Sequence, residues 1–129
     1  MPNTLKIYVA HSQAFDFKNE LYAPLKSIKD SDVELVFPHD SGSEPFNSKQ
    51  LFNSKQCAFI LAEVSDASTG LGIELGWADA LQIPIYAIHR KGALPSGAIK
   101  VVAKCIEEYE THSELLSIIQ QIINKHRNN

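Results

Sequence analysis

No apolar run in this 129-residue chain approaches the roughly 20 residues that a bilayer span needs, so a membrane-spanning protein is not expected. Dense Lys/Arg runs are missing too. Twelve basic residues are scattered among 15 acidic ones for a formal net charge of −3, which leaves no electrostatic footprint for nucleic acid or an anionic membrane. Cysteine is scarce: Cys57 and Cys105 each sit within or beside an apolar stretch, the pattern of small buried thiols in a reducing compartment rather than of a disulfide or a metal site. Met1-Pro2-Asn3-Thr4 leads into a strand-like segment and not a signal peptide, so the expected location is cytoplasmic. Internal repeats, low-complexity tracts and linkers are absent, and Gly92 to Gly97, with Pro95 between them, is read as a loop. What the chain does have is 44% apolar residues, enough to bury one core, and a single domain over 1–129 is expected.

Leu5 to Ala10, Val33 to Phe37, Ala58 to Ala62 and Ile83 to Ile88 are short runs rich in Ile, Val, Phe, Leu and Tyr, the pattern of parallel strands buried on both faces. A fifth short strand is expected within Lys104 to Tyr109. Phe17, Leu21, Leu25 and Ile28 recur at helical spacing after a cap at Asp16, with Pro24 kinking that helix or starting its second half. Phe46 to Ser54 is a weaker helical segment. Thr69 to Gln82 carries Leu71, Leu75, Ala78 and Leu81 along one side behind Ser68 as a cap. Thr111-His112-Ser113-Glu114 is a capping box before Leu115, Leu116, Ile118, Ile119, Ile122 and Ile123. Strands alternating with helices imply right-handed crossovers and a doubly wound α/β sheet of order 2-1-3-4-5, with helices on both faces.

In such a sheet, ligands bind beyond the carboxyl ends of the strands near the switch in strand order, here expected at the ends of strands one, three and four. His11-Ser12-Gln13, Pro38-His39-Asp40, Glu63 to Ser68, and His89-Arg90 fall at those ends. Gly70 and Gly72 flank the start of the third helix, where they either admit a ligand to free backbone N–H groups or merely allow close packing on the sheet. Glu74 lies one to two turns further on, and its side chain should lean back toward the Ser65 to Ser68 loop. That suits a nucleophile, and equally a charge placed favourably on the helix dipole.

The segment from Ala62 through Glu63-Val64-Ser65-Asp66-Ala67-Ser68-Thr69-Gly70-Leu71-Gly72-Ile73-Glu74-Leu75-Gly76 resembles the signature of the nucleoside 2-deoxyribosyltransferase superfamily. It is most similar to the branch of 2'-deoxynucleoside 5'-monophosphate N-glycosidases. Lys6-Ile7-Tyr8-Val9-Ala10 resembles the first strand of that family, and Leu94-Pro95-Ser96-Gly97-Ala98-Ile99 a later serine-containing loop. The resemblance implies cleavage or transfer of the N-glycosidic bond of a deoxynucleotide or deoxynucleoside, through a deoxyribosyl ester on Glu74 and without metal or organic cofactor. It further implies that Tyr8 orients Glu74, that Ser12, Ser68, Gly70 and Gly72 receive a 5'-phosphate with Glu63 in the substrate-binding set, and that Ser96 reaches the phosphate of a neighbouring subunit in a homodimer. Ser68 stands where transferases of free nucleosides resemble one another in an Asp, and a serine hydroxyl can donate to a phosphate oxygen; it can equally be only the helix cap.

Two departures stand out. The acid that assists the departing base in the family falls at Gln50 here, leaving Asp40, His39, His11 and Asp66 as possible replacements, and His11-Ser12-Gln13-Ala14-Phe15 replaces the family's Gly- and Arg-rich phosphate loop. A non-catalytic nucleotide-binding protein is therefore an alternative. Ala10-His11-Ser12 also resembles the opening of Toll/interleukin-1 receptor-type domains, which would imply a signalling or NAD-cleaving module.

Overall fold

The computed structural model describes residues 4–40 and 46–128. Met1 to Asn3, part of the N-terminal segment read above, lie outside the described residues. Five parallel strands form one sheet in the order β2-β1-β3-β4-β5: β1 is Leu5–His11, β2 Val33–Val36, β3 Phe59–Glu63, β4 Ile85–Arg90 and β5 Cys105–Tyr109. The expected order and class hold. Strand bounds shift by one or two residues, so that His11, Glu63, His89 and Arg90, expected just beyond strand ends, close their strands instead.

Period-two alternation sends successive side chains to opposite faces. Ile7 and Val9 of β1, with Phe59 and Leu61 of β3, pack beneath α1 (Lys18–Tyr22 with Ala23–Lys26) and α5 (His112–Arg127). Tyr8, Ala10, Ile60 and Ala62 face α2 (Ser48–Asn53) and α3 (Thr69–Ala80). Each fully buried Ile, Leu or Val contributes about 1.5–3 kcal/mol relative to exposure. Ala10, Ala62 and Ala87 are fully buried in adjacent strands on the α3 side, where small side chains let that helix lie close to the sheet.

Helix α1 departs from the expected continuous helix. A π-helical turn, Lys18–Tyr22, runs into an α-helical turn, Ala23–Lys26. Pro24 has no N–H to give to the Glu20 carbonyl and its ring would crowd it, so the preceding turn widens and Ala23 N–H reaches back five residues to Lys18. Asp16 caps weakly, its carboxylate accepting from Asn19 N–H at 3.4 Å. α2 is shorter than Phe46 to Ser54 and starts behind Asn47, which accepts from Gln50 N–H at 3.0 Å. α3 stops at Ala80: Leu81, expected on the buried side, is an exposed cap, and Gln82 turns the chain at φ 61°. One turn, α4 (Ile99–Val102), follows the expected loop. α5 begins where the expected capping box puts it, but only one arm forms: Thr111 Oγ1 accepts from Glu114 N–H at 3.1 Å, and the Glu114 carboxylate meets the Thr111 hydroxyl at 3.3 Å instead of its N–H.

Candidate active site

Tyr8 points to the α3 side because it alternates with Ile7 and Val9 in β1, and Glu74 leans back from the second turn of α3 above it. The two meet: Tyr8 Oη donates to Glu74 Oε2 at 2.5 Å. Burial, with the Glu74 charge second, pushes the phenol far above its ordinary range and keeps it a donor. The Ser48 side chain, at the start of α2, lies beside the same phenol and offsets part of that rise. Glu74 Oε1 has no hydrogen-bond partner among the described residues.

Above this pair opens a cleft of about 420 Å³ at the carboxyl ends of β1 and β2 and the N-terminal end of α3. Gly70, Ile73, Glu74 and Trp77 share one helical face toward it, at spacings of three and four. His11 and Gln13 enter from the end of β1, Pro38 and His39 from the end of β2, and Phe46 from the approach to α2. Ser68 Oγ caps α3 by accepting from Leu71 N–H at 3.1 Å, and its hydroxyl proton stays available. At Gly70, Gly72 and Gly76 a Cβ would meet no atom within 4 Å, so close packing on the sheet does not account for these glycines; they border open space.

A second cavity, of about 370 Å³ and mostly apolar, lies across α3 against α4, lined among others by Gly72, Gly76, Ser96 and Ile99. Ser68 and Leu71 border both cavities. Of the residues singled out in the sequence, Tyr8, Ser68, Gly70 and Glu74 thus converge on the cleft, whereas Gly72 and Ser96 lie on its far side. Ser12 is buried, its hydroxyl accepting from Ala14 N–H at 3.0 Å, and does not line the cleft.

Glu63 also lies elsewhere. Next to Ala62 in an alternating strand, it faces away from Glu74 and is 1% exposed. Its Oε1 accepts from Ser65 N–H at 2.7 Å; Oε2 accepts from Ser65 Oγ at 3.0 Å and from the Tyr109 hydroxyl. Ser65 Oγ in turn accepts from Arg90 N–H at 2.7 Å, while the Arg90 guanidinium pairs with Asp66 at 2.6 Å and stacks on Phe15 at 4.4 Å. Burial, then the Glu63 hydrogen bond, raise the Tyr109 phenol well above its usual value. The network ties the ends of β3, β4 and β5 to the loop leading into α3.

Gln50 is exposed on α2 and does not line the cleft; the residue that α2 turns inward is Ser48, one helical turn before buried Phe52. Gln13 lines the cleft from the strand end where the sequence places it, whereas Ser48, Phe46 and Trp77 are not singled out there as site residues. Trp77 was recoverable, since it stands three residues after Glu74 on the same face. Among the described residues no three His, Cys, Asp or Glu side chains cluster as metal ligands, and no helix is long and apolar enough to cross a membrane.

No protein-family model matches the sequence, and no curated protein matches it. Solved structures do. The CMP N-glycosidase BcmB of Clostridium botulinum superposes with a TM-score of 0.62 at 18% identity, over 89% of this chain and 98% of that one. A conserved protein from Enterococcus faecalis V583 superposes with a TM-score of 0.59 at 18% identity, over 92% of this chain and 98% of that one. The chain therefore has the fold of these proteins along nearly its whole described length, with a nucleotide N-glycosidase among them.

Proposed function

We propose that this protein cleaves the N-glycosidic bond of a 2'-deoxynucleoside 5'-monophosphate, or of a deoxynucleoside, through a covalent ester on Glu74. The observation that carries the proposal is the Tyr8–Glu74 hydrogen bond at the base of an open cleft. Breaking a C1'–N bond builds positive charge on the anomeric carbon, and a carboxylate held by one oxygen, with the other free, is suited to meet it. Water then resolves the ester in a hydrolase, a second base in a transferase. Fold likeness to a CMP N-glycosidase supports the same class of chemistry.

A 5'-phosphate is assigned to the start of α3, where the Ser68 hydroxyl and first-turn amides can donate to it and where glycine leaves room. Ser96 lines the cavity across α3, so its part in phosphate binding would be played toward a neighbouring copy, in a homodimer that belongs to the proposal.

Wild type and Glu74→Ala are to be incubated with a panel of deoxynucleoside monophosphates, and with deoxynucleosides plus a second free base, while released or exchanged base is followed by chromatography. Release by wild type and none by the variant is expected. Equal activity in both proteins would remove Glu74 from the mechanism; tight binding without turnover by wild type would identify a nucleotide-binding protein instead.

A further inference from the structure

Departure of a nucleobase requires a proton for the nitrogen that receives the bonding pair, unless the base is already a good leaving group. The sequence leaves the donor open among Asp40, His39, His11 and Asp66. Geometry separates them. Asp40 is paired with Lys26 at 2.5 Å on the surface and does not line the cleft. Asp66 belongs to the cavity across α3 and is held by Arg90 at 2.6 Å.

His11 borders the cleft but has both ring nitrogens occupied. Its Nδ1 donates to the Ser12 carbonyl at 2.8 Å and its Nε2 accepts from the Tyr22 hydroxyl at 2.6 Å. Tyr22 can donate there because its oxygen already accepts from His39 N–H at 3.1 Å. The ring is 5% exposed, and burial lowers its affinity for a proton, so it is a neutral imidazole with no proton to spare. Tyr8 donates to Glu74.

His39 differs on each point. It is half-buried, lines the same cleft as Glu74, and its ring nitrogens make no hydrogen bond among the described residues. Its backbone is held by Tyr22, and its ring lies 5.3 Å from that of His11 and 5.8 Å from that of Phe17, centroid to centroid. The side chain is thus positioned by its surroundings while its nitrogens stay uncommitted.

We infer that His39 is the general acid for the departing base, an assignment that rests on the N-glycosidic cleavage proposed above. Glu74 forms the bond to C1' as the C1'–N bond breaks; the electron pair goes to the base nitrogen, which takes the proton from the His39 imidazolium. In the hydrolytic half, neutral His39 removes a proton from water, the water oxygen bonds to C1', and the ester pair returns to Glu74. Base and sugar phosphate leave, and His39 is protonated again.

The test is a leaving-base series on wild type, His39→Ala, His39→Asn and Gln50→Ala. Monophosphates of stepped base acidity serve as substrates: uracil, 5-bromouracil and 5-fluorouracil for pyrimidines, guanine and N7-methylguanine for purines. Loss of a general acid should slow the poorest leaving base by about 10²–10⁴-fold, with the loss shrinking steadily as the base becomes more acidic, in both His39 variants. Gln50→Ala should behave as wild type. A uniform loss across the series, as from disturbed packing, would overturn the assignment, as would no loss in either His39 variant. Wild type releasing no base from any substrate would overturn the proposed function and the assignment together.

Discussion

Replacing Tyr8 by Phe deletes a single oxygen from the centre of the site. The ring itself should stay, since it is 1% exposed and packed edge-on against Phe52 at 5.3 Å and tilted against Phe46 at 5.7 Å. What is lost is a 2.5 Å hydrogen bond to a carboxylate. Hydrogen bonds to charged groups contribute about 1.5–3 kcal/mol. If that interaction serves to hold Glu74 in its attacking orientation, kcat should fall by about 10- to 100-fold, because each 1.36 kcal/mol is a factor of ten. KM should change little, since Tyr8 holds the carboxylate and not the substrate. Urea unfolding of wild type, Tyr8→Phe, Glu74→Gln and the double variant reads the same contact without any substrate, and the cycle should return a coupling of about 0.5–3 kcal/mol. Additive stabilities together with unchanged kcat in Tyr8→Phe would refute the claim that this bond organises the site.

Two further outcomes concern the fold beneath the site. Tyr109→Phe removes a donor from Glu63, which is 1% exposed, so stability should drop by about 1–3 kcal/mol, measured as a lower urea midpoint; a midpoint equal to wild type would show that Ser65 and Arg90 satisfy the carboxylate unaided. Burial lowers the pKa of His11, so the unfolded chain binds its proton first: the stabilisation is complete above the unfolded value of about 6.5 and is lost as pH falls toward the folded value. Melting temperature should therefore decline from pH 7 to pH 5, and His11→Gln should flatten the decline; an unaltered slope would exclude His11 as its source.

How legible this molecule is from its residues depends on which contacts set each feature. Strand order, the Thr111 cap of α5 and the Ser68 cap follow from local chemistry and the connection rule, and all three are present. Glu63 shows the limit. A strand buried on both faces, as Phe59–Glu63 is, reads the same from either side, and only the register of Ala62 against Ala10 sends Glu63 away from the cleft. Choosing His39 over His11 required knowing that Tyr22, eleven residues along, returns to cap one ring nitrogen and hold the backbone of the other. Ser48 was hidden by the length of α2: a helix beginning at Phe46 does not single out Ser48, whereas one capped by Asn47 begins on it.

The glycines of α3 set the helix that bears Glu74 apart in one last respect. Each interior glycine costs a helix about 0.8–1.0 kcal/mol relative to alanine, and α3 has three in twelve residues, all where a methyl group would touch nothing. Alanine at these positions is thus an unclaimed source of stability within the chain itself. A programme of thermal hardening guided by the fold alone would begin here, and would fill the space beside Glu74 and across α3 with methyl groups. Robustness and access are opposed at three named positions, and the natural residues concede robustness.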